Sequence, residues 1–216
     1  MSNAHPTVAL VPLRSPGQGK TRLRSVLSEG RRAALAGAML ADVVAALRGA
    51  EVERVVVAAS GPAAAAAASA LSADVVLDPP GVTSLDGALA AAAAQLGPTG
   101  QLLVVAADLP RLTAAEVGLV LDTDAEVVLA PTRGGGTGGL LRRPGDRIAT
   151  AYGPGSAAAH VALAERAGAS VATVTLTGFQ EDVDTEDDLS RLATGRLGPA
   201  TSALVSRWDL RSDAAS

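Results

Sequence analysis

Residues 7–13 (TVALVPL) form a short apolar run that stops at Arg14-Ser15-Pro16-Gly17, the pattern of a strand followed by a loop. From 28 to 49 the apolar positions Leu35, Met39, Leu40, Val43, Val44 and Leu47 recur at helical spacing and end at Gly49, which predicts an amphipathic helix. The alternation continues with a strand at 52–59, an alanine-rich helix at 62–71, a short strand at 74–77 and a helix at 84–96. Residues 101–106 (QLLVVA) are apolar on both faces, as a central parallel strand is. Thr113 and Glu116 have capping-box spacing and open the next helix. A strand at 126–130, a glycine-rich loop at 132–139, a helix at 156–167 and a strand at 170–176 follow. After an acidic segment at 181–188, a final helix runs through Ala193, and helical character returns near 203–208.

Short apolar strands alternate with helices, and no stretch sustains a two-residue alternation. The expected fold is α/β, with a mostly parallel central sheet and helices on both faces. The pattern divides the chain into an N-terminal stretch, 1–6, whose Ser2-Asn3-Ala4 resembles an expression-tag remnant, one domain, 7–197, and a partly helical tail, 198–216, with a mobile end. Two uncharged stretches, 55–73 and 87–107, raise the question of membrane spans. Ser60-Gly61-Pro62 interrupts the first and QLGPTGQ at 95–101 the second, so each reads as a strand and a helix joined by a turn. With no basic-then-apolar leader, the expected setting is soluble and cytoplasmic, without a membrane partner.

Composition narrows the chemistry. The 216 residues carry a net charge of -4 and one each of Phe, Trp and Tyr. Single-strand binders stack bases on several aromatic rings in a basic groove, so nucleic acid is not an expected partner. The absence of cysteine removes disulfides, thiolate zinc sites and cysteine nucleophiles. His5 lies in the terminus and His160 in a predicted helix, where a packed or solvated role is expected rather than service in a Ser-His-Asp triad. Of the 18 basic residues only one, Lys20, is lysine.

Lys20 follows Gly17-Gln18-Gly19 and precedes Thr21, which invites a P-loop reading. The spacing fails, because the first glycine of that motif would fall at position 14, an arginine. The loop can still meet a nucleotide: glycines permit close backbone approach, and Arg14, Lys20 and Arg22 supply positive charge. A solvated basic turn explains the same residues. Asp108 follows the most apolar strand, and ligands of open parallel sheets bind at the carboxyl ends of strands. A turn-forming aspartate is the plain alternative. Asp182 and Asp184 are two apart in an extended segment, so their carboxylates project to one side. Two such charges about 4 Å apart repel by roughly 4 kcal/mol at an effective dielectric near 20, which a cation would relieve. Mg²⁺ suits oxygen ligands and takes one or two carboxylates plus substrate phosphate. Thr185 is placed to cap the next helix, whose positive end favours Glu186, Asp187 and Asp188. Gly153-Pro154-Gly155-Ser156 opens a helix whose free amides would take an anion, aided by the Ser156 and Thr137 hydroxyls. A plain serine cap is the simpler alternative.

Taken in order, Val11-Pro12-Leu13, Lys20-Thr21-Arg22-Leu23, Ala107-Asp108-Leu109-Pro110, Gly136-Thr137-Gly138, Gly153-Pro154-Gly155-Ser156 and Asp182-Val183-Asp184-Thr185 resemble the guanylyltransferases of coenzyme F-420 biosynthesis, kin of the molybdopterin guanylyltransferases. The resemblance covers nearly the whole chain. It implies a single Rossmann-like nucleotidyltransferase domain of the GT-A-like type, which joins GTP to phosphoenolpyruvate, 2-phospholactate or 3-phosphoglycerate. It further implies catalytic roles for Lys20, Arg22 and Asp108, nucleotide contacts at Leu13, Arg14, Lys20 and Asp86, and acceptor contacts at Thr137, Gly153 and Ser156. Mg²⁺ would be held by Asp108, Asp182 and Asp184. Two positions depart from the family pattern: Arg14 stands where many relatives carry lysine, and Asp86 where they usually carry asparagine.

The implied chemistry fits the residue inventory. A phosphate acceptor has its second pKa near 6, so at neutral pH it is largely a dianion and needs no general base. It would attack the α-phosphorus of GTP and expel pyrophosphate. The Arg- and Ala-rich composition suggests a GC-rich genome, and actinobacterial family members are associated with phosphoenolpyruvate. Competing expectations are another nucleotidyltransferase, on molybdopterin or a sugar, and a non-catalytic nucleotide-binding protein. The expected assembly is a monomer or small homo-oligomer.

Overall fold

The computed structural model describes residues 6–14 and 20–208. The suspected tag remnant with His5, the glycines of the first loop and the end of the tail lie outside them. Strands β1 (Thr7–Leu13), β2 (Arg54–Ala59), β3 (Asp74–Leu77), β4 (Gln101–Val105), β5 (Val127–Pro131), β6 (Thr137–Arg142) and β7 (Val171–Thr173) form one sheet in the order β3-β2-β1-β4-β6-β5-β7. Neighbours are parallel except at β6, which runs antiparallel to both β4 and β5. The helices are α1 (Glu29–Gly49), α2 (Pro62–Ala70), α3 (Leu85–Leu96), α4 (Ala114–Asp122), α5 (Ser156–Arg166), α6 (Thr177–Gln180), α7 (Glu186–Arg191) and α8 (Pro199–Val205).

Side-chain alternation in the sheet divides the core between its two faces. On one face Ala9, Val11, Val57 and Val105 pack with Leu40, Val43 and Leu47 of α1 and Val117 and Val120 of α4. On the other, Leu10, Val56, Val104 and Leu140 pack with Leu89 of α3 and Ala164 of α5. A third cluster joins Leu23 and Leu27 to Leu35 and Met39 of α1, and to Val183, Leu189 and Leu192 around α7. That cluster ties the segment after the first loop to the acidic segment.

Helix starts follow local chemistry. Ser84 accepts the Gly87 N–H at 3.0 Å, and Thr113 and Glu116 close the predicted capping box of α4. The start of α8 adds a distant contact to its local signal, Pro199 in the first turn: Asp42 of α1 accepts the N–H groups of Ala200 and Thr201, each at 2.9 Å. A cap supplied from 158 residues away is invisible to a helical pattern, and α8 begins earlier than the pattern near 203–208 indicated.

The glycine-rich stretch departs most from expectation. Only 132–136 is a turn, closed by Thr132 N–H to Gly136 O at 2.9 Å and Gly136 N–H to Thr132 Oγ1 at 3.1 Å. Thr137, Gly138 and Gly139 are already in strand β6. Glycine disfavours a strand unless another backbone comes close. Here a Cβ on Gly138 would stand 2.5 Å from the Phe179 carbonyl oxygen, and one on Gly139 2.6 Å from the Phe179 ring. Those two positions are bare so that α6 can lie directly on the sheet.

Candidate active site

Five strands deliver residues to one edge. Along the sheet order, β3 ends before Asp78, β2 before Ser60, β1 at Leu13 before Arg14, and β4 shortly before Asp108. Because β6 is antiparallel, its first residue, Thr137, emerges at that same edge. With strands about 4.8 Å apart, this row spans roughly 20 Å, room for a nucleotide and an acceptor side by side. All six residues line a cavity of about 720 Å³, together with Lys20, Gly153, Ser156, Asp182 and Asp184.

The acidic segment reaches the edge through its own alternation. Val183 is buried and its N–H points to the Asp108 carbonyl at 3.3 Å, while Asp182 and Asp184 on either side line the cavity. Glu181 is held by Arg111 at 2.6 Å and Arg133 at 2.7 Å. At the other end Thr185 and Asp188 form a reciprocal cap that starts α7. The segment is therefore pinned at both ends.

Lys20 adopts a left-handed backbone, φ 54°, at the head of the short turn Thr21–Leu23. A non-glycine residue there carries strain that its contacts must hold. Its ammonium pairs with Asp108 and lies 3.1 Å from Asp184 Oδ1. Burial works against its charge, yet the two carboxylates outweigh that effect and raise its pKa above the ordinary lysine value. Burial, and then the charges of Asp108 and Asp184, push the Asp182 carboxyl up to about 6, with Lys20 only partly opposing. Three carboxylates thus face one lysine, an excess of negative charge suited to a hard cation. Among the described residues, no three such side chains form a ready-made metal cage.

The other wall is neutral. Ser156 does not cap α5; Gly155 does, at φ 71°. The N–H groups of Ser156 and Ala157 are already taken by Gly153 O at 3.1 Å and Gly135 O at 3.2 Å. The expected anion site is therefore built less from these amides than from hydroxyls. Thr137 Oγ1 lies 3.0 Å from Ser156 Oγ and 3.0 Å from His160 Nδ1.

Two predicted residues sit elsewhere. Arg22 is exposed and lines an adjoining hollow of about 630 Å³, which shares Asp182, Asp184 and Gly153 with the main cavity. Asp86 does not line the cavity; its Oδ1 accepts the Tyr152 N–H at 3.0 Å and so braces the loop that carries Gly153. Sequence reasoning missed Arg32, Ser60 and Asp78 in the lining. Arg32 is buried and donates to the Leu27 carbonyl at 2.8 Å. Its signal was a charge on the apolar stripe of α1, one turn before Leu35. Asp78 is pushed up in pKa by burial, with Arg14 acting in the opposite direction.

A single mixed α/β sheet with a cavity along these strand ends is the arrangement of a nucleotidyltransferase-type fold. Its architecture is similar to that of a nucleotide-diphospho-sugar transferase from Desulfovibrio desulfuricans, with a TM-score of 0.70 at 19% identity over 94% of each chain. The chain belongs to the family described as "Guanylyl transferase CofC like", whose sequence profile matches residues 7–200. It is 38% identical over 86% of each chain to the phosphoenolpyruvate guanylyltransferase of Conexibacter woesei. It is 39% identical, over 92% of this chain and 88% of the other, to the protein of that name from Thermomonospora curvata. No helix among the described residues is long and apolar enough to cross a membrane.

Proposed function

We propose that the protein transfers the guanylyl group of GTP to phosphoenolpyruvate in coenzyme F-420 biosynthesis, in the cytoplasm. The observation that carries this reading is the meeting, in one cavity, of the Lys20, Asp108, Asp182 and Asp184 cluster with the Thr137 and Ser156 hydroxyls. The names of the relatives support phosphoenolpyruvate as acceptor.

The acceptor's phosphate oxygen attacks the α-phosphorus of GTP, forming a new P–O bond. The bond from the α-phosphorus to the bridging oxygen breaks, and pyrophosphate leaves with that electron pair. The product is enolpyruvoyl-2-diphospho-5'-guanosine. No proton need be removed, so the protein's task is to position two anions and offset their charge. Leu13, Arg14, Ser60 and Asp78 lie on the β1 side of Asp108 and receive the nucleotide. Thr137, Gly153 and Ser156 lie on the β6 side and receive the acid. Lys20 offsets charge between them, and Arg22 adds positive charge from the adjoining hollow. Asp108, Asp182 and Asp184 would hold Mg²⁺, which supplies further charge neutralisation at the transferred phosphoryl group.

The test is pyrophosphate release from GTP and Mg²⁺ with phosphoenolpyruvate, 2-phospholactate or 3-phosphoglycerate supplied separately. The expected result is fastest release with phosphoenolpyruvate, loss of release on chelation, and none when CTP or ATP replaces GTP. No release with any acid overturns the reading.

A further inference from the structure

His160 is wholly buried, yet both of its ring nitrogens are engaged on the wall that faces the acceptor. It sits one helical turn after Ser156 on α5, so both side chains meet Thr137. The main-chain N–H of Ala151 donates to His160 Nε2 at 2.9 Å. A nitrogen that accepts carries no proton, so the neutral ring must carry its proton on Nδ1. Burial, aided by Arg142 and opposed by Asp86, holds the pKa of His160 below its ordinary value and favours that neutral ring. The ring packs in a T-shaped arrangement with Tyr152, with centroids 5.0 Å apart.

The direction of the remaining bonds follows by counting protons. His160 Nδ1–H donates to Thr137 Oγ1, and Thr137 and Ser156 share one hydrogen bond between two hydroxyl protons. One hydroxyl proton is left over. With the opposite tautomer, Thr137 would donate to Nδ1, Ser156 would donate to Thr137, and the pair would offer the cavity only lone pairs. We propose that His160, oriented by the Ala151 N–H, is a positioning residue that makes the Thr137 and Ser156 pair present an O–H donor to an anionic oxygen of the acceptor. The inference rests on the reading of this wall as the acceptor side. It gives a role to a histidine that a sequence argument dismisses, and explains how a pair of neutral hydroxyls can favour an anion.

Two measurements test it. The chain has two histidines, so in the full-length His5→Gln protein His160 is the remaining imidazole, and nitrogen-15 NMR reads its tautomer directly. The expected state at neutral pH is protonated Nδ1 and bare Nε2, with and without inorganic phosphate; a proton on Nε2 overturns the proposal. The second measurement compares His160→Asn, which keeps an N–H near the Nδ1 position, with His160→Leu, which has none. With loss of a hydrogen bond to a charged group, KM for phosphoenolpyruvate should rise at least about tenfold in His160→Leu and stay within about threefold in His160→Asn, with KM for GTP little changed in both. Equal effects of the two substitutions, or a parallel rise of both KM values, overturn it. Should His160→Leu fail to fold, the tautomer of the native ring still decides. A protein that transfers to no acid would sink the proposed function without altering the tautomer result.

Discussion

In the proposed reaction the two walls of the cavity meet anions by opposite means. Around Lys20 the groups are charged, and exposure is uneven: the lysine side chain is 10% exposed and that of Asp184 51%. Around Thr137 they are neutral, with Thr137 at 6%, Ser156 at 2% and His160 at 0% exposure. Charges in contact with solvent can exchange partners when a ligand or cation arrives. Buried hydroxyls locked to an imidazole cannot. On the proposed function the first wall therefore manages changing charge, while the second reads orientation.

The comparison breaks most visibly at Asp108. Replacing it with Asn keeps the size but removes one negative charge from the proposed cation site, and turnover should fall by at least about a thousandfold. Thermal unfolding should move little, because the carboxylate is at the cavity edge; a collapse in stability with residual full turnover would reverse the assignment. Lys20→Ala comes next, with an expected loss of about a hundredfold in kcat/KM for GTP in pyrophosphate-release assays. Unchanged turnover would remove Lys20 from the charged wall.

A steric rather than electrostatic probe is Gly138→Ala. Forcing a methyl against the Phe179 main chain should cost about 1–3 kcal/mol, seen as a lower Tm. The smallest effect concerns pH. His160 has a lowered pKa in the fold, so the unfolded chain binds its proton first as pH drops through the ordinary histidine value. Its contribution to stability is therefore complete above about pH 6.5 and declines below it, by at most about 1.4 kcal/mol per pH unit until the folded-state pKa is passed. Asp182, with a raised pKa, contributes with the opposite sign. The readout is thus the difference between the native protein and His160→Asn in denaturant unfolding at several pH values. A difference that does not vary with pH would mean that the buried ring is not held neutral.

Much of this architecture was legible from pattern alone. The bounds of β1 and β3, the long helix α1 and the caps at Thr113 and Thr185 all depend on residues near one another in the chain. Where a distant residue sets the local structure, the pattern fell short. Gly138 and Gly139 read as loop because their reason for lacking side chains is Phe179, some forty residues later. Strand β7 is shorter than its apolar run because the chain must leave the sheet to form α6. The site shows the same division. Lys20, Asp108, Asp182, Asp184, Thr137 and Ser156 line one cavity; local pattern left each of them with a plain structural alternative, and only the family resemblance implied a shared site. His160 and Arg32 acquire their places only through tertiary packing.

The bare glycine pair also sets a dimension. Phe179 rests its main chain on Gly138, and the chain runs from there through Gln180, whose carbonyl accepts the Arg133 N–H, to Asp182 three residues on. Asp108 hangs from β4, the strand beside β6. The depth at which the acidic segment approaches Asp108 is thus gauged in part by backbone lying on backbone, beside the polar contacts of Val183 and Glu181 that pin it. A single methyl at Gly138 would act as a shim. It would lift the segment and widen the carboxylate opening while leaving every carboxylate in the sequence unchanged.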